Sequence, residues 1–329
     1  MRVKVNNKSN NGVIITRTPM RITLGGGGTD VYWYSHLRGG SWISAAINKY
    51  VYVLLNRTDD SKLLKTETEI LKECLLKVRI NTGIRITTIS EVSSRSGLGG
   101  SGAFEVGLLN ALYTLKGRGV SPIKLAEEAV YIEAKKLKKP IGPQDHYITA
   151  LGGIKYFEVD KKGNVYAEDL KLDKEVVTKL ENNLLYFSTG IQRDTDAILG
   201  EERKRAERID TSSKVIEALD KIKSLGLKVK QYLLDSNIDK FGKSLHEHWL
   251  IKKTLSKKVS NPKIDQWYNL GLEAGALGGK IMGAGGGGWF VFYVNKNKDK
   301  FIGRMSKSGL IPQQVNFDWE GTKVLVNLS

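Results

Sequence analysis

The chain has 329 residues, of which 40% are hydrophobic and 26% charged, and its formal net charge is +17. That length exceeds the size at which one hydrophobic core usually stops growing, so two domains are expected, and the composition excludes a disordered chain. No apolar run approaches the roughly 18 residues of a membrane span, and the start "MRVKVNNKSNNG" lacks the apolar centre of a secretory signal, so a cytoplasmic protein without a membrane partner is expected.

The elements follow in chain order. Residues 1–12 read as a polar tail, and "GVIITRTPMRITL" (12–24) as a pair of strands broken at Pro19. "GGSWISAAINKYVYVLLNRT" (39–58) is rich in β-branched and aromatic residues and reads as strand, as does the alternating "GIRITTIS" (83–90). "ILKECLLKVRIN" (70–81) fits either helix or strand. From Ala103 to Leu115 the apolar positions Phe104, Leu108, Leu109, Leu112 and Leu115 have helical spacing. Ser121 followed by Pro122 is a helix start, with a capping hydroxyl and a proline at the first helical position. Strands return at "GGIKYFEV" and "NNLLYFSTG"; helices are expected at about 194–224, 225–236, 238–255 and 262–277, and strands again at "GWFVFYV" and "TKVLVNL". Strands first, helices next and strands last indicate an α+β protein in two halves, 13–178 and 179–329.

The positive charge is spread over separate runs such as "KKLKK" (135–139) and "KKTLSKK" (252–258), not gathered with aromatics into a patch. Nucleic acid is therefore not the expected partner; nucleotide triphosphates and sugar phosphates suit the charge as well. Cys74, the single cysteine, excludes an internal disulfide and reads as a small core residue. His246 and His248 look like a metal pair, but on a helix they point about 200° apart and do not share an ion. For His36 and His146 no partner is evident.

Glycine clusters stand at 25–28, 97–102, 152–153 and 283–288. Runs of glycine are entropically costly and tend to persist where backbone approaches a ligand. Gly97, Gly99 and Gly102 satisfy the dinucleotide pattern G-x-G-x-x-G, but "EVSSRS" separates them from the preceding strand, and about 20 residues on stands a helix start, not an acidic strand end. "AGALGGKI" (274–281) nearly spells a P-loop, yet lacks its first glycine and its magnesium-binding hydroxyl. What remains is a phosphate cradle of another kind. The loop Gly97, Leu98, Gly99, Gly100, Ser101 and Gly102 opens a helix whose free N–H groups and dipole favour an anion, with the Ser101 hydroxyl in reach of a phosphate-bound Mg²⁺.

In their order along the chain, "RTPMRITLGGGGTD", "RSGLGGSGAF" and "KIMGAGGGGWFVFY" resemble the three motifs of the GHMP small-molecule kinases. Within that family, "IGPQDHYITALGGIKYF" and "YFSTGIQRDT" look most like the D-glycero-D-manno-heptose 7-phosphate kinase branch, related to fucokinases. The second motif departs from the usual pattern: Ser93, Ser94 and Arg95 occupy the approach where a proline is common, and Gly100 stands where the first of two serines is usual.

The resemblance implies an N-terminal domain of the ribosomal protein S5 domain 2-like type and a ferredoxin-like C-terminal domain, with the site in the cleft. It implies ATP and Mg²⁺ as cofactors and a sugar or sugar phosphate as substrate, phosphorylated at the anomeric O1. Asp145 matches the catalytic aspartate, and Arg21 the basic residue beside it. Glu133 matches the magnesium-binding glutamate, paired with Ser101. Gly27, Gly28, Thr29 and Asp30 are expected to face the sugar, Gly285 and Gly286 to bring backbone to substrate or nucleotide phosphates, and Arg193 to meet a phosphate on the sugar.

Overall fold

The computed structural model describes residues 12–58, 68–80, 83–192, 195–210 and 212–328. The first half runs β1 (Val13–Gly25), α1 (Tyr32–Arg38), β2 (Gly40–Arg57), α2 (Glu69–Val78), β3 (Ile84–Ser90), α3 (Gly100–Leu115) and α4 (Pro122–Val130). A π-helical turn at Tyr131–Lys136 continues α4, and α5 (Gln144–Leu151), β4 (Ile154–Val159) and β5 (Val165–Asp169) follow. The second half runs α6 (Lys174–Asn183), β6 (Leu184–Ser188), α7 (Thr195–Glu207), α8 (Ser212–Leu234), α9 (Ile238–Lys253), α10 (Pro262–Glu273), β7 (Gly278–Ile281), β8 (Trp289–Tyr293), α11 (Lys298–Lys307), β9 (Ile311–Gln313) and β10 (Lys323–Asn327). Among the described residues no helix is long and apolar enough to cross a membrane.

Strand β2 organises the first sheet. One edge pairs along its length with β1, while the other pairs with β4 over Gly40–Ala45 and with β3 over Val51–Arg57. The strand order is β10-β1-β2-β4-β5, with β3 beside β2, and every pairing is antiparallel. Pro19 does not divide β1 into two strands. Lacking an N–H, it is absorbed as a register shift between Pro19 and Met20. The second sheet is β7-β8-β6-β9.

Residues 70–81, ambiguous by pattern, form helix α2 where described, with Cys74, Leu75 and Val78 buried. The helix expected to break at 224/225 instead continues as α8. Its buried stripe of Val215, Leu219, Ile222, Leu225, Val229 and Leu233 runs through that point, and the break lies before Ser212. The near-P-loop at 274–281 is a helix end leading into β7, not a loop opening a helix.

Four hydrophobic clusters are found among the described residues, the smallest joining Val31 and Tyr34 to Val215, Leu219 and Ile222 of α8. Under the first sheet, Trp42 stacks on Phe157 and packs with α2, α3, α4 and α5. Over the second, Phe187, Phe290, Phe292 and Phe301 form an aromatic cluster with α10 and α11. Between them a shared core joins Met20, Ile22 and Leu24 of β1 to Val229, Phe241, Met282 and Trp289 of the second half. The expected boundary near 178 falls inside α6, whose Val176 and Leu180 lie in this shared core, and β10 returns to pair with β1. A single cut there describes the two sheets only in part.

Helix α3 lies unusually close to β1. Thr16 Oγ1 donates to the Gly107 carbonyl at 2.9 Å, and a Cβ at Gly107 would stand 2.6 Å from Thr18 Oγ1. Gly107→Val should therefore lower stability by about 1–3 kcal/mol through overpacking, read as a fall in the thermal midpoint. An unchanged midpoint would mean that α3 has room to shift.

Candidate active site

A cavity of about 490 Å³ opens at the seam between the two halves. Its wall is built from β1, the glycine loop before α3, the start of α5, and β7 with the loop that follows it.

The glycine loop is strapped to β1. The Arg21 backbone N–H donates to Leu98 O at 2.9 Å, and Arg21 Nη1 donates to Gly97 O at 2.5 Å. Gly99, with φ +75°, is the last residue before α3, and a Cβ there would be 3.0 Å from Arg21 Cγ and 3.3 Å from Asp145 Cγ. The turn thus needs glycine twice over, for its left-handed backbone and for the approach of both side chains. Gly97, Gly99, Gly100 and Ser101 line the cavity. Two members of the loop stand back from the cavity wall. Leu98 is fully buried in the shared core, and Gly102 lets α3 close on the backbone of Asp145 and His146; both hold the loop without facing the cavity.

Arg21 also carries Asp145. Its Nε donates to Asp145 Oδ1 at 2.7 Å, and its Nη2 lies 2.6 Å from the same oxygen. Asp145 stands in the first turn of α5, where the helix dipole adds to the positive field. Beside it, Asp30 lines the cavity and accepts from the Gln144 N–H at 3.1 Å. Burial, and then the charge of Asp145, push its pKa up to about 6. Gly27 and Gly28 lie on the same wall.

Thr29 does not join them. It is fully buried; its hydroxyl donates within reach of Gly26 O (2.9 Å) and Ser41 O (2.8 Å) and accepts from Ser41 N–H, so it ties the loop to β2 and has no part in the cavity. Gly285 and Gly286 also stand back from the cavity wall. They pack on Val259, with Gly286 N–H donating to its carbonyl, and Gly283 and Ala284 form the cavity wall instead. Arg193 lies outside the described residues.

Glu133 reaches the cavity from the π-helical turn, and its two oxygens have different partners. Lys139 Nζ is 2.8 Å from Oε1, and His146 Nε2 is 3.1 Å from Oε2; the same imidazole nitrogen is 3.3 Å from Glu105 Oε2. Burial alone would lower the His146 pKa, but its hydrogen bonds to Glu105 and Glu133 raise it to about 10. Burial would raise that of Glu133, but His146 and Lys139 bring it down to about 2, whereas burial leaves Glu105 at about 7. Ligand atoms of Glu105, Glu133 and His146 all lie within 4.8 Å of one another. In sequence His146 had no evident partner; both carboxylates are far from it along the chain.

A second group went unread in the sequence. Lys280 of β7 is 2% exposed, lines the cavity, and among the described residues has no carboxylate within 4 Å. Burial, then the charges of Lys252 and Arg21, lower its pKa well below the usual lysine value. His248 of α9 also lines the cavity, and burial with the same lysines keeps it neutral. Lys252 Nζ donates to Gly283 O. The only signal in the sequence was the near-P-loop containing Lys280, which was read as a failed motif. His246, by contrast, turns away to Tyr268, with Nδ1 2.5 Å from its Oη.

One cavity thus brings together a glycine-rich loop at the start of α3, a carboxylate fixed by Arg21, and a buried lysine with no carboxylate within 4 Å among the described residues. Residues 63–153 match the GHMP kinases N terminal domain, and residues 215–309 match the GHMP kinases C terminal. A D-glycero-alpha-D-manno-heptose 7-phosphate kinase of Campylobacter jejuni is 29% identical over 336 residues, covering 94% of this chain and 98% of that protein. A galactokinase of Pyrococcus furiosus is 29% identical over 337 residues, covering 88% and 91%. In fold, a crystal structure of a D-glycero-D-manno-heptose 1-phosphate kinase from Bacteroides thetaiotaomicron superposes with a TM-score of 0.77 at 24% identity, over 94% of this chain and 98% of that one. Both halves matched in order, on a fold shared over nearly the whole length, place this chain in the GHMP kinase family, as a phosphotransferase.

Proposed function

We propose that this protein is an ATP-dependent sugar kinase that phosphorylates the anomeric O1 of a sugar phosphate, with D-glycero-D-manno-heptose 7-phosphate as the foremost substrate. The observation that carries the reading is the Arg21–Asp145 pair set directly against the glycine loop. The loop and the N-terminus of α3 cradle the nucleotide phosphates. With Oδ1 held by Arg21, Asp145 presents its other oxygen to the sugar hydroxyl and takes the proton as O1 attacks the γ-phosphorus and ADP leaves. Asp30 accepts hydrogen bonds from ring hydroxyls.

The divalent cation that ATP chemistry implies would be held by the Ser101 hydroxyl and the Glu133 carboxylate. Both are oxygen donors on the wall of one cavity, and Glu133 is ionised without the cation's help. When bound, the cation would neutralise charge on the triphosphate. Lys280 is proposed to meet the sugar's own phosphate, an anion that would stabilise the charged form which burial without a counterion disfavours.

The reading is tested by ATP consumption against heptose 7-phosphate, heptose 1-phosphate, free heptose, fucose, galactose, mannose and mevalonate. Turnover confined to free sugars would keep the fold and overturn the phosphorylated substrate. Asp145→Asn should cut kcat by about 10²–10⁴ with ATP affinity little changed; near-normal turnover would remove Asp145 from the chemistry. Lys280→Met should raise KM for the phosphorylated sugar about tenfold or more and leave KM for ATP nearly unchanged. A rise in KM for ATP alone would place Lys280 at the nucleotide.

Asp30 gives a pH signature. Its folded pKa of about 6 lies above the ordinary 3.8, so the cost of its buried charge is absent below about pH 4 and complete above about pH 6. Asp30→Asn should therefore raise the thermal midpoint at pH 8, by an amount equivalent to roughly 3 kcal/mol or less, and give no gain at pH 4. The same substitution should weaken sugar binding above pH 6, because the charge is lost and a donor NH2 replaces one of the two acceptor oxygens.

A further inference from the structure

The two cations on Glu133 are not equivalent. His146 is enclosed, with 1% of its side chain exposed, and it is shared with Glu105, which is fully buried. Its ring borders the cavity, but it is enclosed and held by two buried carboxylates at once, gripping Glu133 at Oε2. Lys139 approaches Oε1 from the cavity side, and 30% of its side chain is exposed. Its long stem is flexible and its ammonium is readily hydrated, so this bond exchanges easily. The backbone supports the same division. The π-helical turn places Glu133 at the cavity, and the Lys139 N–H bonds back to the Glu133 carbonyl at 3.1 Å, so the lysine is held near the carboxylate by a short connection.

A cation coordinated by Glu133 needs the lone pairs of Oε1, and that is where the ammonium sits. Two positive charges on one carboxylate oxygen repel, and the buried His146 already supplies a third charge behind it. We propose that Lys139 is a built-in competitor of the divalent cation at Glu133. Its ammonium closes the carboxylate in the nucleotide-free protein and gives way when the cation arrives. The inference rests on the reading of Glu133 as a ligand of that cation. It assigns His146 the complementary role of a positioning residue, which keeps the carboxylate aimed at the cavity when Lys139 leaves.

The competition is measured without turnover, by titrating the whole protein with Mn²⁺ alone and following free Mn²⁺ by electron paramagnetic resonance. Lys139→Met should tighten Mn²⁺ binding about three- to tenfold, Lys139→Arg should leave it within about twofold, and the exposed neighbour substitution Lys136→Met should leave it unchanged. Equal affinity in Lys139→Met and wild type, or weaker binding in Lys139→Met, overturns the competition. Glu133→Gln separates the two readings. If it weakens Mn²⁺ binding while Lys139→Met has no effect, Glu133 is a ligand and the competition is wrong. If Glu133→Gln also has no effect, the ligand assignment itself fails.

The wild-type protein supplies an arm that needs no variant. Labelling of Lys139 by an amine-acylating reagent, read by mass spectrometry, should rise about threefold or more when Mn²⁺ is added, because the ammonium is released. Labelling that is indifferent to Mn²⁺ means that Lys139 stays on Glu133, and overturns the proposal.

Discussion

The site is organised by one side chain. Arg21 stands in the middle of β1 and makes three attachments: its backbone N–H to Leu98, its guanidinium to Gly97, and the same guanidinium to Asp145. The first two set the glycine loop against the sheet, and the third sets the start of α5 against the loop. The cradle and the carboxylate are therefore positioned from one rigid strand, flanked on both sides by paired neighbours. A guanidinium serves here where an ammonium would not, since its planar fork binds a carbonyl and a carboxylate at once.

Around that anchor the protein buries more charge than a small cavity usually holds. On one side, Glu105, His146, Glu133 and Lys139 form a chain of alternating sign whose members neutralise one another. On the other, Lys280 has no carboxylate bonded to it among the described residues, and burial beside Lys252 and Arg21 disfavours its charged form. An internally paired cluster contributes to structure, because breaking it would strand a buried charge. A cation without a protein counterion costs stability and favours an anionic ligand. The two sides of the cavity thus differ in what they ask of a ligand.

The seam between the sheets is a packed interior as well as a cleft. Apolar residues of β1 meet those of α8, α9 and β8 in one core, and β10 returns from the end of the chain to β1. Residues from both halves consequently face one cavity across short distances, and the walls are held by the same packing that stabilises the protein.

Much of this was determined by sequence alone. Strands β2, β3, β4 and β10, the helix expected from Ala103, which starts at Gly100, and the cap at Ser121 follow from alternation, helical spacing and capping chemistry, which act between near neighbours. The glycine loop could be told from a dinucleotide turn because the flanking elements were local too. The family resemblance brought Arg21, Asp145, Glu133 and Asp30 into view, and all four line the cavity. Tertiary structure decided the rest. Thr29 sits one residue from Asp30, yet is consumed by backbone partners on the facing strand. His146 acquires its meaning from Glu105, 41 residues away. Lys280, in a stretch that reads as a failed phosphate loop, becomes a buried lysine on the cavity wall because β7 carries it into the seam. Pro19 is absorbed as a register shift because β2 pairs with β1 on either side of it along the strand, at Thr18 and at Met20. In each case the deciding neighbour arrives through long-range packing, and local spacing carries no record of it.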